Sequence, residues 1–528
     1  WLWLERVSAE LAAKPNVTVL TRTTAFCYGS HNMVGLAERV SDHVSAASPG
    51  TLRQRWRQVR AGQVILATGA HERPILFDGN DRPGVMLASA ARTYLNRYGV
   101  RLGHSCVAVT RNDGGYQAAF EMARAGLAAT IVDVRSSVSD KVAAEAQKLG
   151  IEIIAGARPL RSKGGHRVTA IKVVLANGRL RTLECDLVLM AGGWTPTVHL
   201  FSQSRGKLRW DDVVEGYIPD EATQRVRCVG ACRGDFFLSS ALKGGFAAGE
   251  SGASLTTTRS PPVCSAIDAD IDVRNGPICI APDRAMAFVD FQNDVTSKDL
   301  RLAVREGFHS VEHFKRYTTT GMATDQGRTS NLNAMAIAGG AMNVPMEKVG
   351  MTSFRPPYTP VSFGTLTGNN RGETFAPARQ TPTHEWAVAQ GAVFENVGLW
   401  KRARYFPQNG ESMDEAVRRE CRVTRSAAGI LDASTLGKIE VVGPDAAEFM
   451  NRMYVNAWTK LKVGGCRYGV LLRDDGFIFD DGVVGRLAED RFHITTTTGG
   501  AANVFNFMED YLQTEWPGLD VWLTSTTE

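Results

Sequence analysis

The stretch SCVAVTRNDGGYQAAFEMARAGLAATIVDVR, residues Ser105–Arg135, sets the architecture of the first half of the chain. It begins with an apolar run, passes through a turn that carries Gly114 and Gly115, and continues as a helix to about Gly126. A second apolar run then ends at Asp133. A strand, a crossover helix and a second strand in this order are typical of a βαβ unit with parallel strands. The stretch therefore predicts an α/β domain of the nucleotide-binding type.

The turn of this unit departs from the pattern of dinucleotide-binding sites. That pattern, G-x-G-x-x-G, lets the backbone approach a pyrophosphate, whereas Thr110–Tyr116 has only two adjacent glycines. Asp133 lies about 20 residues downstream, where an acidic residue would bind a ribose hydroxyl, but any βαβ unit can end in a surface aspartate. Two interpretations stay open, a phosphate-binding turn and a purely structural βαβ unit.

Two further apolar runs end in small residues, QVILATGA at Gln63–Ala70 and CDLVLMAGGWTP at Cys185–Pro196. Such runs predict buried parallel strands. The small residues of ATGAHERP, Ala67–Pro74, would let the backbone pass close to a cofactor. Together with the later segment VGACRGDFFLSSALKGGFAAGESGA, this order of motifs resembles the flavoproteins with two dinucleotide-binding domains that are related to glutathione reductase.

This resemblance implies where a dinucleotide would bind. In that family the second motif passes the pyrophosphate of the cofactor and enters a helix, so Ala231, Asp235 and the start of FFLSSALKGG match it. The resemblance implies NAD rather than a free flavin on this chain, and small residues at these turns would permit close approach of the backbone. The predicted contacts are Ala25, Ala67, Thr68, Gly69, Ala231, Phe236 and Leu238.

The composition describes a globular protein of several domains. A chain of 528 residues is too long for one core, and 60 basic against 55 acidic residues leave a net charge of only +5. No basic run follows a groove, so nucleic acid is not an expected partner. The nine cysteines lack paired zinc spacing, and no apolar run reaches the roughly 18 residues that span a bilayer. We predict a cytoplasmic protein with mostly reduced thiols, and we expect truncation at both ends, because each falls inside a predicted element.

The middle of the chain, Phe288–Asn331, resembles the small helical domain of bacterioferritin-associated ferredoxin. The shared frame is a Val-Thr pair before a helix and the Gly-Met and Gln-Gly-Arg of YTTTGMATDQGRTSN. That family holds a two-iron cluster on cysteines, and the resemblance places the four ligand positions at Asp290, Gln292, Asp325 and Ser330. None is a thiol, and iron–sulfur clusters need thiolate ligands. We therefore predict that this domain keeps its fold and holds no iron–sulfur cluster.

The segment HFKRYTTTG, His313–Gly321, concentrates cations and hydroxyl groups beside this loop. Lys315 and Thr319 could hold an anionic phosphate or the edge of a flavin. The alternative is a plain helix end with solvated cations, and both interpretations stay open.

The last third of the chain resembles the aminomethyltransferase of the glycine-cleavage system. It follows the Pro- and Gly-rich segment Arg355–Arg379 and carries AAGILDASTLGKIEVVGPDA, CRYGVLLRDDGFIFDDGVVGRL and DRFHITTTTGGAANVFNFME. The resemblance implies a carboxylate that faces the reduced pterin, with Asp481 as the first candidate and Asp480 as the second. A carboxylate can stabilise an iminium or take a proton during attack by tetrahydrofolate. Thr498 lies where the family has a folate-contacting asparagine.

The motifs of the whole chain together resemble the alpha subunits of heterotetrameric sarcosine oxidases. The resemblance implies an oxidoreductase that acts on CH–NH donors with oxygen and yields glycine, hydrogen peroxide and 5,10-methylenetetrahydrofolate. It implies NAD and tetrahydrofolate on this chain, FAD and FMN in a beta subunit, with the FMN near the subunit interface, and smaller gamma and delta subunits. The alternatives are the alpha chain of an opine, proline or other amino-acid dehydrogenase, which shares the front half, and a non-catalytic scaffold that holds cofactors.

The expected architecture is an α/β and α+β multidomain protein. A dinucleotide-binding region of the glutathione reductase type is predicted over residues 1–258, with an inner βαβ region at about 100–190. A ferredoxin-like helical domain without cluster cysteines follows over 283–345, and an aminomethyltransferase-like folate domain over 355–528.

Overall fold

The structure is a computed structural model that describes residues 2–46, 48, 50–252, 275–278 and 281–527. The chain divides into two compact units, Trp1–Gly368 and Asn369–Glu528. The division falls inside the Pro- and Gly-rich segment Arg355–Arg379, and the predicted domain end at residue 258 lies outside the described residues. Within those ranges, no helix combines the length and the apolar character needed to cross a membrane.

The first unit opens with a helix, an antiparallel three-stranded sheet and the start of the α/β region. These elements are α1 (Leu2–Ala12), β1 (Thr23–Tyr28), β2 (Met33–Arg39), β3 (Gln54–Arg60), β4 (Val64–Leu66), β5 (Ala70–Glu72), β6 (Val85–Leu87) and α2 (Ala88–Tyr98). Strands β1, β2 and β3 pair in sequence order.

The predicted βαβ unit is present, and it belongs to a five-stranded parallel sheet. The elements of this region are β7 (Ser105–Thr110), α3 (Gly114–Arg124), β8 (Ala128–Asp133), α4 (Asp140–Lys148), β9 (Glu152–Ala155), β10 (Arg158–Lys163), β11 (Ala170–Val174), β12 (Leu180–Glu184) and β13 (Leu187–Ala191). The parallel strands lie in the order β6-β13-β7-β8-β9, and β10, β11 and β12 form an antiparallel sheet. All five residues of β13 are buried, as expected for a parallel strand that is covered on both faces.

The next elements contain the second motif of the dinucleotide region. They are β14 (Trp194–Pro196), α5 (His199–Gln203), β15 (Leu208–Asp211), β16 (Gly216–Pro219), β17 (Val226–Cys228), a 3₁₀ helix at Gly230–Arg233 and α6 (Leu238–Gly252). Strand β17 pairs in parallel with β4. The strand predicted at Gln63–Ala70 is paired only over the three residues of β4, and Ile65 is 41% exposed. The strand ends early because Thr68 and Gly69 turn and bond to Thr197 instead.

The remainder of the first unit is mainly helical. It contains β18 (Phe288–Asp290), β19 (Val295–Thr296), α7 (Ser297–Arg305), α8 (Val311–Thr318), α9 (Asn331–Met342), α10 (Met346–Val349) and α11 (Phe363–Thr367). Helix α7 starts after Thr296, whose backbone N–H donates to the Asp299 carboxylate at 2.8 Å. Helix α9 is the centre of this region, because its residues from Leu332 to Gly339 are all buried.

The second unit packs helices against an antiparallel five-stranded sheet. Its elements are β20 (Arg379–Gln380), α12 (His384–Ala389), β21 (Val393–Val397), β22 (Trp400–Tyr405), α13 (Met413–Ser426), β23 (Gly437–Val442), α14 (Ala446–Met453), β24 (Cys466–Leu472), β25 (Ile478–Ala488), β26 (Arg491–Thr496), α15 (Ala501–Thr514) and β27 (Trp522–Ser525). The sheet order is β24-β25-β26-β23-β27. Alternate residues of β23, Ile439 and Val441, enter a core that includes Phe449 of α14 and Met508 of α15.

Candidate functional sites

The two turns that were predicted to hold a dinucleotide lie at the same edge of the β4–β17 pair. The turn at residues 67–69 follows the carboxyl end of β4, and the 3₁₀ helix at Gly230–Arg233 follows the carboxyl end of β17. Because the two strands are parallel, these ends lie side by side. The Val229 N–H donates to the Leu66 carbonyl at 3.0 Å and joins the two strand ends. The structure thus brings Ala67, Thr68 and Gly69 close to Ala231.

Gly69 leaves room for a ligand at this edge. It has φ +74°, which favours glycine, and a Cβ at this position would meet no atom within 4 Å. Thr68 Oγ1 donates to the Thr197 carbonyl at 2.7 Å, and this hydrogen bond fixes the turn against the segment that precedes α5. These features fit close approach of a dinucleotide to the backbone.

The other predicted dinucleotide contacts lie around this edge. Ala25 on β1 packs against the apolar cluster that contains Leu66 and Cys228. Phe236 is half-buried in the segment that leads to α6, and Leu238 is the exposed first residue of that helix.

A pair of thiols lies beneath the same turns. Cys232 Sγ is 3.3 Å from the Leu66 carbonyl and 3.2 Å from that of Val229. The hydrogen bond with Cys228 lowers the pKa of the Cys232 thiol to about 6, and the same bond together with burial raises the pKa of Cys228. All cysteines within the described residues are free thiols, whereas Cys264 and Cys279 lie outside those residues.

Charged side chains of the protein itself fill the turn of the βαβ unit, namely Asp113, Asp133 and Arg135. Asp133 is fully buried and accepts hydrogen bonds from the Tyr116 hydroxyl at 2.7 Å and from Arg135. Arg135 also donates to Asp113 at 2.7 Å, and Asp113 immediately precedes α3. A carboxylate at this helix N-terminus takes the position that would attract a phosphate.

Residues 275–278 also cross this turn. The Gly276 N–H donates to the Arg111 carbonyl at 2.7 Å, and Arg111 Nε donates to the Gly276 carbonyl at 2.9 Å. Asn112 Nδ2 donates to Asn275 Oδ1 at 3.0 Å, while Asn112 Oδ1 accepts the Gly114 N–H at 2.9 Å. Of the two interpretations of this turn, the geometry favours the structural one.

The loop that resembles a cluster site is held together by oxygen atoms. Asp290 is 2% exposed, and its carboxylate accepts the backbone N–H groups of Gln292, Asn293 and Gly321 at 2.9, 3.1 and 2.7 Å. Gln292 Oε1 accepts the Asp325 N–H at 3.4 Å. The Asp290 carboxylate therefore accepts hydrogen bonds from both halves of the loop, from Gln292 and Asn293 in the first and from Gly321 in the second. Hydrogen bonds to an ionised acceptor are stronger than those between neutral groups.

The remaining two positions of the loop are also buried or bonded. Asp325 Oδ1 accepts the Gly327 N–H at 3.2 Å, and burial together with nearby Asp290 raises the pKa of Asp325. Ser330 is 1% exposed, and its hydroxyl has no hydrogen-bond partner among the described residues. This donor set of two carboxyl groups, an amide and a hydroxyl does not fit an iron–sulfur cluster.

Lys315 and Thr319 do not line the same cavity. Lys315 lines a narrow cavity with Thr320 and Met335, and burial lowers the pKa of its amine. Thr319 is exposed with φ +65° at the end of α8, and its carbonyl accepts Asn293 Nδ2 at 2.9 Å. The threonine that lines this cavity is Thr320. At the end of a helix, the side chains of neighbouring residues point in different directions, and the sequence spacing does not reveal which one faces the cavity.

The two carboxylates of the second unit have different surroundings. Asp481 on β25 is half-buried, and its carboxylate accepts the hydroxyl proton of Tyr468, which lies on β24 and is 58% exposed. Asp480 is 6% exposed and accepts the Thr497 N–H at 2.9 Å and the Thr497 hydroxyl at 2.6 Å. Asp481 is thus the carboxylate open to a ligand, and Asp480 holds a turn.

Thr498 lies next to that turn and is buried. Its hydroxyl oxygen is 3.0 Å from Thr435 Oγ1, and both side chains are less than one-tenth exposed. Gly500 closes the turn, because a Cβ there would come within 1.9 Å of Asp480 Oδ2. Tyr468 was not predicted from the sequence. It pairs with Val483 and lies diagonally across the hairpin from Asp481, and this position next to the DDG motif is a signal that could have found it.

Comparisons with known proteins match the chain in three segments. Residues 9–224 match the pyridine nucleotide-disulphide oxidoreductase family, 284–370 the sarcosine oxidase A3 domain, and 383–528 the GCVT N-terminal domain. The L-proline dehydrogenase from P. horikoshii shares the fold, with a TM-score of 0.51 at 19% identity over 68% of this chain and 68% of its own.

Two curated relatives align along the chain. Sarcosine oxidase subunit alpha of Corynebacterium sp. (strain P-1) is 46% identical over 100% of this chain and 56% of its own length. The protein of the same name from Rhizobium meliloti (strain 1021) is 45% identical over 99% of this chain and 53% of its own length. The chain spans about half the length of these relatives. Over the length that it spans, the chain is similar throughout to sarcosine oxidase alpha subunits.

Proposed function

We propose that this chain is part of the alpha subunit of a heteromeric sarcosine oxidase that passes a one-carbon unit to tetrahydrofolate. The overall reaction converts sarcosine, tetrahydrofolate and oxygen into glycine, 5,10-methylenetetrahydrofolate and hydrogen peroxide. The oxidation takes place at a beta subunit that carries FAD and FMN, with the FMN near the subunit interface. Smaller gamma and delta subunits complete the complex, which is cytoplasmic.

The observation that carries this proposal is the Asp481 carboxylate in the aminomethyltransferase-like unit. It accepts one hydrogen bond from Tyr468, which fixes its orientation and leaves acceptor capacity for a ligand. An ionised carboxylate can stabilise a positively charged iminium, and it can take the proton that the attacking folate nitrogen loses. Asp480 is less suited to this role, because Thr497 and the Asp481 N–H already occupy its oxygens.

A second part of the proposal concerns the dinucleotide. The open surroundings of Gly69 and the parallel ends of β4 and β17 support NAD at this edge. The turn after β7 is closed by Asp113, Arg135 and residues 275–278. We therefore assign one dinucleotide to this chain, with a structural role and no part in the oxidation.

The experiment that tests the proposal is product partition in the assembled complex with tetrahydrofolate present. Asp481→Ala should leave flavin reduction by sarcosine unchanged, since that chemistry lies in another subunit. General acid–base assistance is worth about 10²- to 10⁴-fold, so released formaldehyde should rise at the expense of methylenetetrahydrofolate. Titration of the complex with folate distinguishes this function from a scaffold without catalysis.

The control is Asp480→Asn, which keeps the size of the side chain at the neighbouring position. This variant should lower the stability of the second unit, because Asp480 accepts three hydrogen bonds that involve Thr497 and Asp481. Folded Asp480→Asn protein should partition products nearly as the unaltered complex does. An unchanged partition in Asp481→Ala, and again at position 480, would show that both carboxylates are structural turn residues.

A further inference from the structure

Two thiols lie side by side where β4 and β17 end. Cys228 is the last residue of β17 and pairs with Leu66, the last residue of β4. Cys232 follows in the 3₁₀ helix, and its Sγ is 3.3 Å from the Leu66 carbonyl oxygen and 3.2 Å from that of Val229. The 3₁₀ helix therefore folds back onto the strand end, and the two thiols form a hydrogen bond with each other.

One of the two thiols borders an open cleft. Cys228 lines this cleft, which holds about 610 Å³ of solvent, together with Phe201, Val226 and Arg233. Cys228 is 7% exposed and Cys232 is 1% exposed. Hydrogen peroxide has only two heavy atoms, so the cleft gives it a path to the Cys228 side of the pair.

The hydrogen bond between the thiols favours one negative charge on the pair. It lowers the pKa of Cys232 to about 6, so the pair has lost one proton near pH 7. The same bond raises the pKa of Cys228, and the nearby Arg233 guanidinium opposes this rise. Since the thiolate is the nucleophilic form of cysteine, this pair differs from a buried thiol that stays protonated.

We propose that Cys228 and Cys232 are a redox pair that hydrogen peroxide from the cleft converts to a disulfide. First, the proton that the two sulfur atoms share moves to Cys232, and the Cys228 thiolate attacks one peroxide oxygen. The O–O bond breaks, the departing hydroxide takes a proton from solvent and leaves as water, and Cys228 becomes a sulfenic acid.

The second step closes the disulfide. The Cys232 thiol loses its proton, and its sulfur attacks the Cys228 sulfur while the S–O bond breaks. The departing hydroxide takes a proton and leaves as a second water. The two thiols are thus oxidised by two electrons, and one hydrogen peroxide is reduced to two water molecules.

This disulfide is reversible and acts on the turn that contains it. It closes a ring of only five residues, Cys228–Cys232, so loop-closure entropy contributes little to its stability and a small thiol can reduce it. A disulfide sulfur has no proton to donate, so Cys232 loses its hydrogen bond to the Leu66 carbonyl. That carbonyl still accepts the Val229 N–H at 3.0 Å, which keeps the two strand ends joined.

The test is peptide mapping of the complete complex after treatment with hydrogen peroxide, denaturation and alkylation without reduction. Trypsin releases both thiols in one peptide, CVGACR at Cys228–Arg233. In the untreated complex this peptide should carry two alkyl groups. After peroxide it should carry none and be lighter by two hydrogen atoms, and dithiothreitol should restore both alkylation sites. Peroxide is added as a reagent, so the result does not depend on the proposed function.

Cys106 and Cys185 are the internal control. They are also buried close to each other, but neither lines the cleft, and burial raises the pKa of each thiol to about 12. Because the reaction rate follows the thiolate fraction, the Cys228–Cys232 disulfide should form at least about tenfold faster than any oxidation of this control pair.

Two variants test the order of the steps. Cys232→Ser removes the second thiol, so dimedone should label a sulfenic acid on Cys228 after peroxide treatment. Cys228→Ser should keep one alkyl group on the peptide, since Cys232 does not line the cleft. Two alkyl groups on the peptide of the peroxide-treated unaltered complex, or equally fast oxidation of Cys106 and Cys185, would overturn the proposal. Absence of the dimedone label in Cys232→Ser would contradict its first step.

Discussion

Glu72 shows how a single buried carboxyl group links the stability of the first unit to pH. It is 6% exposed, and its carboxylate accepts the Ser89 N–H at 2.7 Å at the start of α2. Burial raises the pKa of Glu72 from its usual 4.5 to about 7. The folded state therefore keeps the proton to higher pH than the unfolded chain does. The contribution of Glu72 to the free energy of unfolding is therefore largest below pH 4.5, falls as the pH rises from 4.5 to about 7, and no longer changes at higher pH.

Glu72→Gln removes this titration and keeps an oxygen that can accept the Ser89 N–H. Relative to the unaltered protein, we expect the variant to gain about 2 to 3 kcal/mol between pH 4.5 and pH 7.5. Denaturant unfolding of both proteins at these two pH values measures the difference. A difference that does not change with pH would show that Glu72 titrates in the folded state as in the unfolded chain.

At the residue scale, the sequence identified acidic candidates better than their partners. Asp481 and Asp480 are adjacent in a motif and were named together, but only the pleat of β25 turns them to opposite faces. Tyr468 lies 13 residues away on the paired strand β24, so its bond to Asp481 depends on hairpin register. Within the part of the chain that the structure describes, His71 Nε2 and both ring nitrogens of His199 lack a hydrogen-bond partner because they are buried, and no local pattern of residues reveals that burial.

The loop between β18 and α9 illustrates the element scale, because one carboxylate ties together its two halves. Asp290→Asn replaces one of the two carboxylate oxygens by an NH₂ group. The Gly321 N–H then meets either this second donor or a neutral oxygen that accepts a weaker hydrogen bond. We expect hydrogen exchange at the Gly321 amide to accelerate at least tenfold. Asp294→Asn is the matched control, since Asp294 is exposed with φ +54°, which asparagine tolerates. Equal exchange in both variants would mean that Asp290 does not hold the loop.

The same loop carries a prediction about metal content. Asp290, Gln292, Asp325 and Ser330 occupy the positions that the ferredoxin resemblance assigns to ligands, and none offers a thiolate. Purified full-length subunit should contain neither iron nor acid-labile sulfide in stoichiometric amounts. Colorimetric iron and sulfide analysis tests this, and one two-iron cluster per chain would refute it.

At the scale of the whole molecule, local patterns predicted the elements well and long-range contacts poorly. The run from Ser105 to Arg135 folds as the predicted βαβ unit because its strands and helix are set by residues close in sequence. The role of the turn between β7 and α3 could not be predicted from neighbouring residues in the same way. Residues 275–278 reach Arg111 across more than 160 positions of the chain, and the glycine spacing carries no trace of that contact.

The number of dinucleotides per chain is a prediction for the whole molecule. The turn after β7 is closed, and the edge of β4 and β17 is open at Gly69, so acid extraction of the full-length subunit should release about one NAD per chain. Gly69→Ala should abolish this release, because a methyl group there would lie where the backbone meets the nucleotide. Gly99→Ala is the matched control, since both glycines have positive φ, +74° and +64°, and open space around the Cβ position. The two variants bear similar backbone strain, and only Gly99→Ala should keep its nucleotide. Release of FAD alone, or equal loss from both variants, would contradict the assignment.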